Sequence, residues 1–343
     1  MRAFITGVAG LALTDRERAF LREAQPWGLI LFRRNVASSQ QLRGLIDEMR
    51  DVLGRRAPVL IDQEGGRVQR LGPPHWPVYP PGAAYGAAYD RDRELGLAAA
   101  RLGARLIAAD LFDLGIDVDC LPLADVPVRH ADPIVGDRAY GNEPGKVAAI
   151  AKAIAQGLDA GGVLPVLKHI PGHGRAGVDS HKKLPVVGTG RALLEATDFA
   201  AFVPLADLPM AMTAHVVFTA IDAVAPATVS PTIVREVIRG SIGFDGLLMS
   251  DDISMEALSG SVGERARDAI AAGCDVVLHC NGDMSEMTAV ALGVPPLAGE
   301  AARRAEAALA ARRTATPLDI VEETRTEFFR LMAGSWQPAE PYA

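Results

Sequence analysis

Val163-Leu164-Pro165-Val166-Leu167-Lys168-His169-Ile170-Pro171-Gly172-His173-Gly174 decides how the rest of the chain is read. The first five residues form an apolar run with the length of a short buried strand. From Lys168 onward, through Arg175-Ala176-Gly177-Val178 to Asp179-Ser180-His181, glycines and a proline predict an ordered, non-helical loop. Three of the seven histidines, a lysine and an aspartate fall in this loop. Plain connections between elements do not carry such a density of titratable groups, so the loop reads as the lip of an active site.

Working outward, short apolar runs recur with helical spans between them. Ala3–Thr6, Gly28–Phe32, Pro58–Ile61, Ile116–Leu121, Val163–Leu167, Met210–Ala214, Gly246–Ser250 and Cys274–His279 each read as a strand. Thr14-Asp15-Arg16-Glu17 is a capping box that opens a helix. After Ser38, the residues Leu42, Leu45, Ile46, Met49 and Leu53 line one helical face. An alanine-rich helix is expected from about Asp90 to Leu114, stopped by Gly115. Eight strands alternating with helices predict an α/β fold, a single-domain (β/α)8 TIM barrel over residues 1–343. A C-terminal helical segment, about 299–334, is expected to pack outside it.

Net charge is −7, from 35 Lys and Arg against 42 Asp and Glu, with no basic run; this argues against nucleic acid or an anionic membrane as partner. Cys120, Cys274 and Cys280 are odd in number and scattered, which reads as free buried thiols in a reducing compartment. The apolar N-terminus is broken by Gly7 and Gly10, so it reads as a first strand rather than a signal peptide, and no run approaches the ~20 apolar residues of a membrane span. A cytoplasmic, monomeric protein acting on a small molecule is the expectation.

Barrel enzymes place their chemistry at the C-terminal ends of the strands, and the unusual polar residues fall there repeatedly. Asp62-Gln63-Glu64-Gly65-Gly66-Arg67-Val68-Gln69-Arg70 follows the third strand, Gly136-Asp137-Arg138 lies beyond the fourth, Thr213-Ala214-His215 ends the sixth, and Ser250-Asp251-Asp252 follows the seventh. Adjacent side chains on an extended segment point to opposite faces, so one of Asp251 and Asp252 should face the pocket while the other caps a helix beginning near Ile253. In Asp179-Ser180-His181 the residues two apart can meet, and a carboxylate on the imidazole fixes its tautomer and raises its basicity. Such a histidine can give and then take a proton near neutral pH. His75, His130 and His279 read as incidental, and His215 as a support behind the site.

A zinc-dependent hydrolase is the rival reading, with His169, His173 and His181 as ligands beside Asp179. The Ile-Pro-Gly between His169 and His173 opposes the helical face that two such ligands use in zinc proteases. Neither Gly65-Gly66 nor Gly172-His173-Gly174 matches a phosphate-binding loop. No metal and no cofactor is expected. A sugar-binding protein without catalysis is a third reading, because a fold alone assigns no function.

With these motifs assembled, the chain resembles the bacterial β-N-acetylglucosaminidases of glycoside hydrolase family three, the NagZ type. The resemblance rests on Asp62–Val68, on Lys168–Gly174 followed by Asp179-Ser180-His181, and on Gly243-Phe244-Asp245-Gly246 leading into Ser250-Asp251-Asp252. It implies a retaining mechanism in which Asp251 is the nucleophile, His181 is general acid and then general base, and Asp179 orients it. This departs from the two-carboxylate pattern usual for glycosidases. By the same resemblance Asp62, Arg70, Arg138, Lys168 and His169 bind the terminal N-acetylglucosamine and its neighbour. The implied substrate is N-acetylglucosamine linked to 1,6-anhydro-N-acetylmuramic acid, with or without peptide, in peptidoglycan recycling. A histidine that is neutral after giving up its proton repels an anion less than a carboxylate would, so a phosphorylase on the same scaffold is a further alternative.

Overall fold

In the computed structural model, which describes residues 1–316 and 321–337, eight parallel strands close into a barrel. They are β1 (Arg2–Thr6), β2 (Pro26–Leu31), β3 (Val59–Ile61), β4 (Val118–Asp119), β5 (Leu164–Ile170), β6 (Met210–Thr213), β7 (Leu247–Asp252) and β8 (Val276–His279). Each strand pairs with its neighbours in sequence, and β8 returns to β1 with Phe4 opposite Val277. The expected (β/α)8 barrel is therefore present.

The helices follow from their caps and faces. α1 (Asp15–Ala24) opens with the Thr14 and Glu17 capping box, and buried Glu17 also accepts the Ala9 N–H, tying down the loop after β1. α2 (Ser39–Leu53) is capped by Ser38 and buries the whole predicted face from Leu42 to Leu53. The alanine-rich stretch corrects the expectation of one helix. It divides into α3 (Gly82–Arg91) and α4 (Arg93–Leu114), because the Asp92 side chain accepts from the Glu94 and Leu95 N–H groups and starts a new helix. Gly115 ends α4 as expected, at a φ of 83°.

Two strands differ from their sequence reading in ways that matter for the site. β5 runs through Ile170, so Lys168 and His169 are strand residues rather than loop residues. β7 runs through Asp252, so both aspartates sit on the strand, and no helix begins at Ile253. The next helix, α5 (Val262–Ala272), starts only after Ser261. β4 is shorter than predicted, although its ladder to β5 continues through Leu121, Pro122 and Ala124.

α6 (Gly299–Ala310) and α7 (Val321–Met332) match the expected C-terminal helices, with residues 317–320 outside the described residues. α7 lies on α3 and α4. Phe328 is fully enclosed there, its ring centroid 6.4 Å from that of Tyr85, and Gly103 of α4 leaves room for it. Phe328→Ala should cost roughly 3–5 kcal/mol in urea unfolding, as for other large core truncations. A loss under ~1 kcal/mol would mean that α7 is not an integral part of the domain.

Candidate active site

The C-terminal ends of the strands surround a cavity of about 240 Å³, lined from β5, β6, β7 and β8 and from the loops after β2, β3, β4, β5, β7 and β8. At its base sits Lys168. Its ammonium is almost wholly enclosed and makes ion pairs of 2.6 Å to Glu64 and 3.1 Å to Asp62. Arg138 meets both oxygens of Glu64, at 2.8 and 2.9 Å. Arg70 bonds the outer oxygen of Asp62 at 3.0 Å and lies over the Phe32 ring. Ionised groups this deep persist only when paired.

Burial alone would raise the Glu64 carboxyl, but Arg138 and Lys168 outweigh it and hold it at about 2. Burial is likewise outweighed at Asp62 by Lys168 and Arg70, which keep it well below the ordinary carboxylate range. The Lys168 ammonium, disfavoured by burial, is raised above its ordinary value by Glu64 and Asp62. Beneath them, burial pushes Asp119 well up; one of its oxygens accepts the Gln63 N–H and the other has no partner among the described residues.

A second buried carboxylate, Asp125, organises the histidines. One oxygen takes the N–H groups of His169 and His173, and the other takes Nδ1 of His169 at 2.7 Å. His173 is enclosed, its imidazole pushed down to about 4 by burial with His169 beside it, and its Nε2 meets the Ser180 hydroxyl at 3.0 Å. Ser180 thus anchors the turn that carries its two neighbours. Asp179 accepts both the backbone N–H and Nδ1 of His181, at 2.9 and 2.8 Å. The expected carboxylate and imidazole contact is present, in a turn rather than an extended segment. The loop is held to its neighbour by Val128 N–H to Gly174 and Asp132 N–H to Ala176, and a Cβ on Gly174 would overlap the Val126 carbonyl. His181 itself is 60% exposed while lining the cavity.

Asp251 and Asp252 correct the expectation of opposite faces, since both line the cavity. The register between β7 and β8 shifts between Met249 and Asp252, which breaks the simple alternation. The two carboxylates nevertheless differ. Asp252 accepts from the Ser254 N–H and hydroxyl and from the Cys280 N–H, so it braces the strand end rather than capping a helix. Among the described residues Asp251 accepts only the Asp252 N–H, at 2.8 Å, which leaves the rest of its carboxylate open to the cavity. Burial would raise Asp251, but His169 and the Asp252 N–H more than offset it, and its carboxyl lies below the ordinary value.

Sequence reasoning assigned no role to Glu64, Asp125 or Phe32. Glu64 stood inside a motif quoted for its neighbours. Asp125 follows Leu123-Ala124, where nothing in the spacing distinguishes it. Of the three thiols Cys280 is only partly buried and lines the cavity, whereas Cys120 and Cys274 are enclosed. For the zinc reading, among the described residues no group of three or more His, Cys, Asp or Glu side chains is arranged to hold a metal ion. Among the described residues no helix is long and apolar enough to cross a membrane.

Removing Glu64 would leave Lys168 and Arg138 short of a buried counter-charge, so Glu64→Gln should lose roughly 3–5 kcal/mol near neutral pH. A depressed carboxyl contributes its full stability above its unfolded value of 4.5 and loses it as pH falls toward about 2. Urea midpoints of wild type and Glu64→Gln should therefore converge as pH is lowered from about 6 to about 3. A constant gap between them would show that Glu64 is not the ionised partner.

The family model for the glycosyl hydrolase family 3 N-terminal domain matches residues 6–309. A β-hexosaminidase of Chromobacterium violaceum is 39% identical over 303 residues, covering 87% of this chain and 84% of that protein. A β-hexosaminidase of Alkalilimnicola ehrlichii is 41% identical over 281 residues, covering 80% and 79%. NagZ from Neisseria gonorrhoeae, solved with N-trifluoroacetyl-D-glucosamine, superimposes with a TM-score of 0.83 at 30% identity over 97% of both chains. The same Neisseria protein has also been solved with a zinc ion. On this likeness and the barrel beneath it, the chain belongs to glycoside hydrolase family 3 and is a β-N-acetylhexosaminidase of the bacterial NagZ type.

Proposed function

We propose that the chain is a retaining exo-β-N-acetylglucosaminidase of peptidoglycan recycling. Its substrate is N-acetylglucosamine linked to 1,6-anhydro-N-acetylmuramic acid, with or without a peptide, and residues 1–343 work as one monomeric catalytic unit in the cytoplasm. The observation that carries this reading is that an open carboxylate, Asp251, and an imidazole bound by a carboxylate, His181, line one sugar-sized cavity.

Asp251 attacks the anomeric carbon while His181 gives its Nε2 proton to the leaving oxygen, forming a glycosyl ester. His181, now neutral, takes a proton from water as that water attacks the same carbon, which frees the sugar with its configuration kept. Asp179 occupies Nδ1 of His181 and so leaves Nε2 as the atom that exchanges protons. Asp62, Arg70, Arg138, Lys168 and His169 bind sugar hydroxyls in this reading. Asp62 and Arg70 are the most exposed of the charged four, whereas Arg138 and Lys168 are largely spent on Glu64.

Asp251→Ala should lower kcat ~10⁴-fold or more on nitrophenyl N-acetyl-β-glucosaminide. His181→Ala should cost ~10²–10⁴-fold on the disaccharide, and less on the nitrophenyl substrate, whose leaving group needs little protonation. A fluorinated N-acetylglucosaminyl donor should label Asp251 in peptide mapping, and the product in phosphate buffer should be free sugar rather than sugar phosphate. A label on Asp252, equal His181→Ala losses on both substrates, or activity abolished by a chelator would each overturn part of this mechanism.

A further inference from the structure

Thr213, Thr228 and His215 lie behind Asp251, all fully enclosed, and no part of the proposed chemistry uses them. β7 follows β6 main chain to main chain only as far as Met249 opposite Met212. Beyond that point the register on the other side of β7 slips, and side chains from the β6 end take the place of the ladder. The Asp251 N–H donates to the Thr213 hydroxyl at 3.3 Å, and the Asp252 carbonyl meets Nε2 of His215 at 3.0 Å. Between them Thr213 and Thr228 share a hydroxyl contact of 2.8 Å, and Thr228 reaches Nδ1 of His215 at 2.7 Å.

The proton positions in this ring follow from its ends. A carbonyl only accepts, so Nε2 of His215 carries the hydrogen. Burial pushes this imidazole below its ordinary value, so the ring is neutral and Nδ1 accepts. Thr228 therefore donates to Nδ1, with the Ala214 carbonyl at 3.1 Å a longer second acceptor. Its oxygen is then free to accept from Thr213. Thr213, its own proton committed, accepts the Asp251 N–H. Every hydrogen bond in the chain points the same way, and such chains strengthen cooperatively in a dry interior.

We infer that Thr213, Thr228 and His215 are positioning residues that clamp the main chain on both sides of Asp251 and so aim its carboxylate at the anomeric carbon. This rests on the reading of Asp251 as nucleophile. The clamp takes up the backbone groups and leaves the carboxylate itself untouched, so its removal misdirects the attack while the sugar-binding groups across the cavity stay in place.

Thr213→Val keeps the shape of the side chain and removes the hydroxyl. It should lower kcat on the nitrophenyl substrate about 10–100-fold with KM changed less than about threefold, in line with the cost of an ångström-scale misplacement. Thr213→Ser, which restores the hydroxyl, should recover activity to within about fivefold of wild type. Thr228→Val should match Thr213→Val, and the double variant should lose little more than either alone, because one chain is being broken twice. Thermal unfolding of each variant confirms that the fold survives. An unchanged kcat in Thr213→Val, a loss confined to KM, or Thr213→Ser as impaired as Thr213→Val would overturn the inference. Labelling of Asp251 by the fluorinated donor in these variants separates the two readings. A label elsewhere refutes the nucleophile, whereas an Asp251 label forming at the wild-type rate refutes the clamp alone.

Discussion

A lysine ammonium with about 2% of its side chain exposed must be surrounded by negative charge, and the mouth of this barrel is built around meeting that need. Lys168 stands on β5, yet its two carboxylates come from the chain just after β3, and Arg138, from the long loop after β4, closes on one of them. One buried cation therefore fixes the relative height of two strands and the path of a loop. The cluster holds three cations against the ionised Asp62 and Glu64, with Asp119 below them pushed toward its neutral form. Asp251, across the same cavity, does not draw on this cluster: the His169 imidazole and the Asp252 N–H hold its carboxyl below the ordinary value.

The same economy of partners separates two neighbouring aspartates. Among the described residues Asp252 has three protein donors on its oxygens and Asp251 has one. A carboxylate saturated with hydrogen bonds is a poor nucleophile and a good brace, because attack would require giving those bonds up. Exposure alone does not distinguish the pair, since both are half-buried. Hydrogen-bond accounting does.

The fold was legible because its signals are local and repeated. Caps at Thr14, Ser38 and Gly115 and the apolar face of α2 lie where their residue types dictate. The misreadings arose where tertiary partners override local pattern. A lysine and a histidine after an apolar run look like loop, and only the acidic cluster across the barrel makes them strand. Asp92 interrupts an otherwise helical alanine run because its side chain competes for the backbone. Asp125 was invisible for another reason: its partners are the His169 and His173 backbone and ring, 44 and 48 residues away, and no spacing rule connects them.

In the proposed mechanism the placement of the two reacting groups follows from what each would have to do. A nucleophile attacks one atom along one line, and Asp251 sits on a strand whose backbone is tied down on both sides. An acid that later becomes a base meets the leaving oxygen and then the oxygen of the incoming water at one place, and the leaving sugar must depart between the two steps, so a mount that can yield and return suits it better than one locked inside the barrel. His181 is instead on a turn at the rim, more than half exposed, anchored through Ser180 to buried His173 and oriented by Asp179. Its hold on the barrel passes through the Ser180 contact and a long bond of 3.4 Å from the Glu256 N–H to the His181 carbonyl, beside a carboxylate contact within the turn. In that mechanism the sheet fixes the nucleophile and its own loop carries the proton carrier, which would let leaving group and water occupy the same place in succession without moving Asp251.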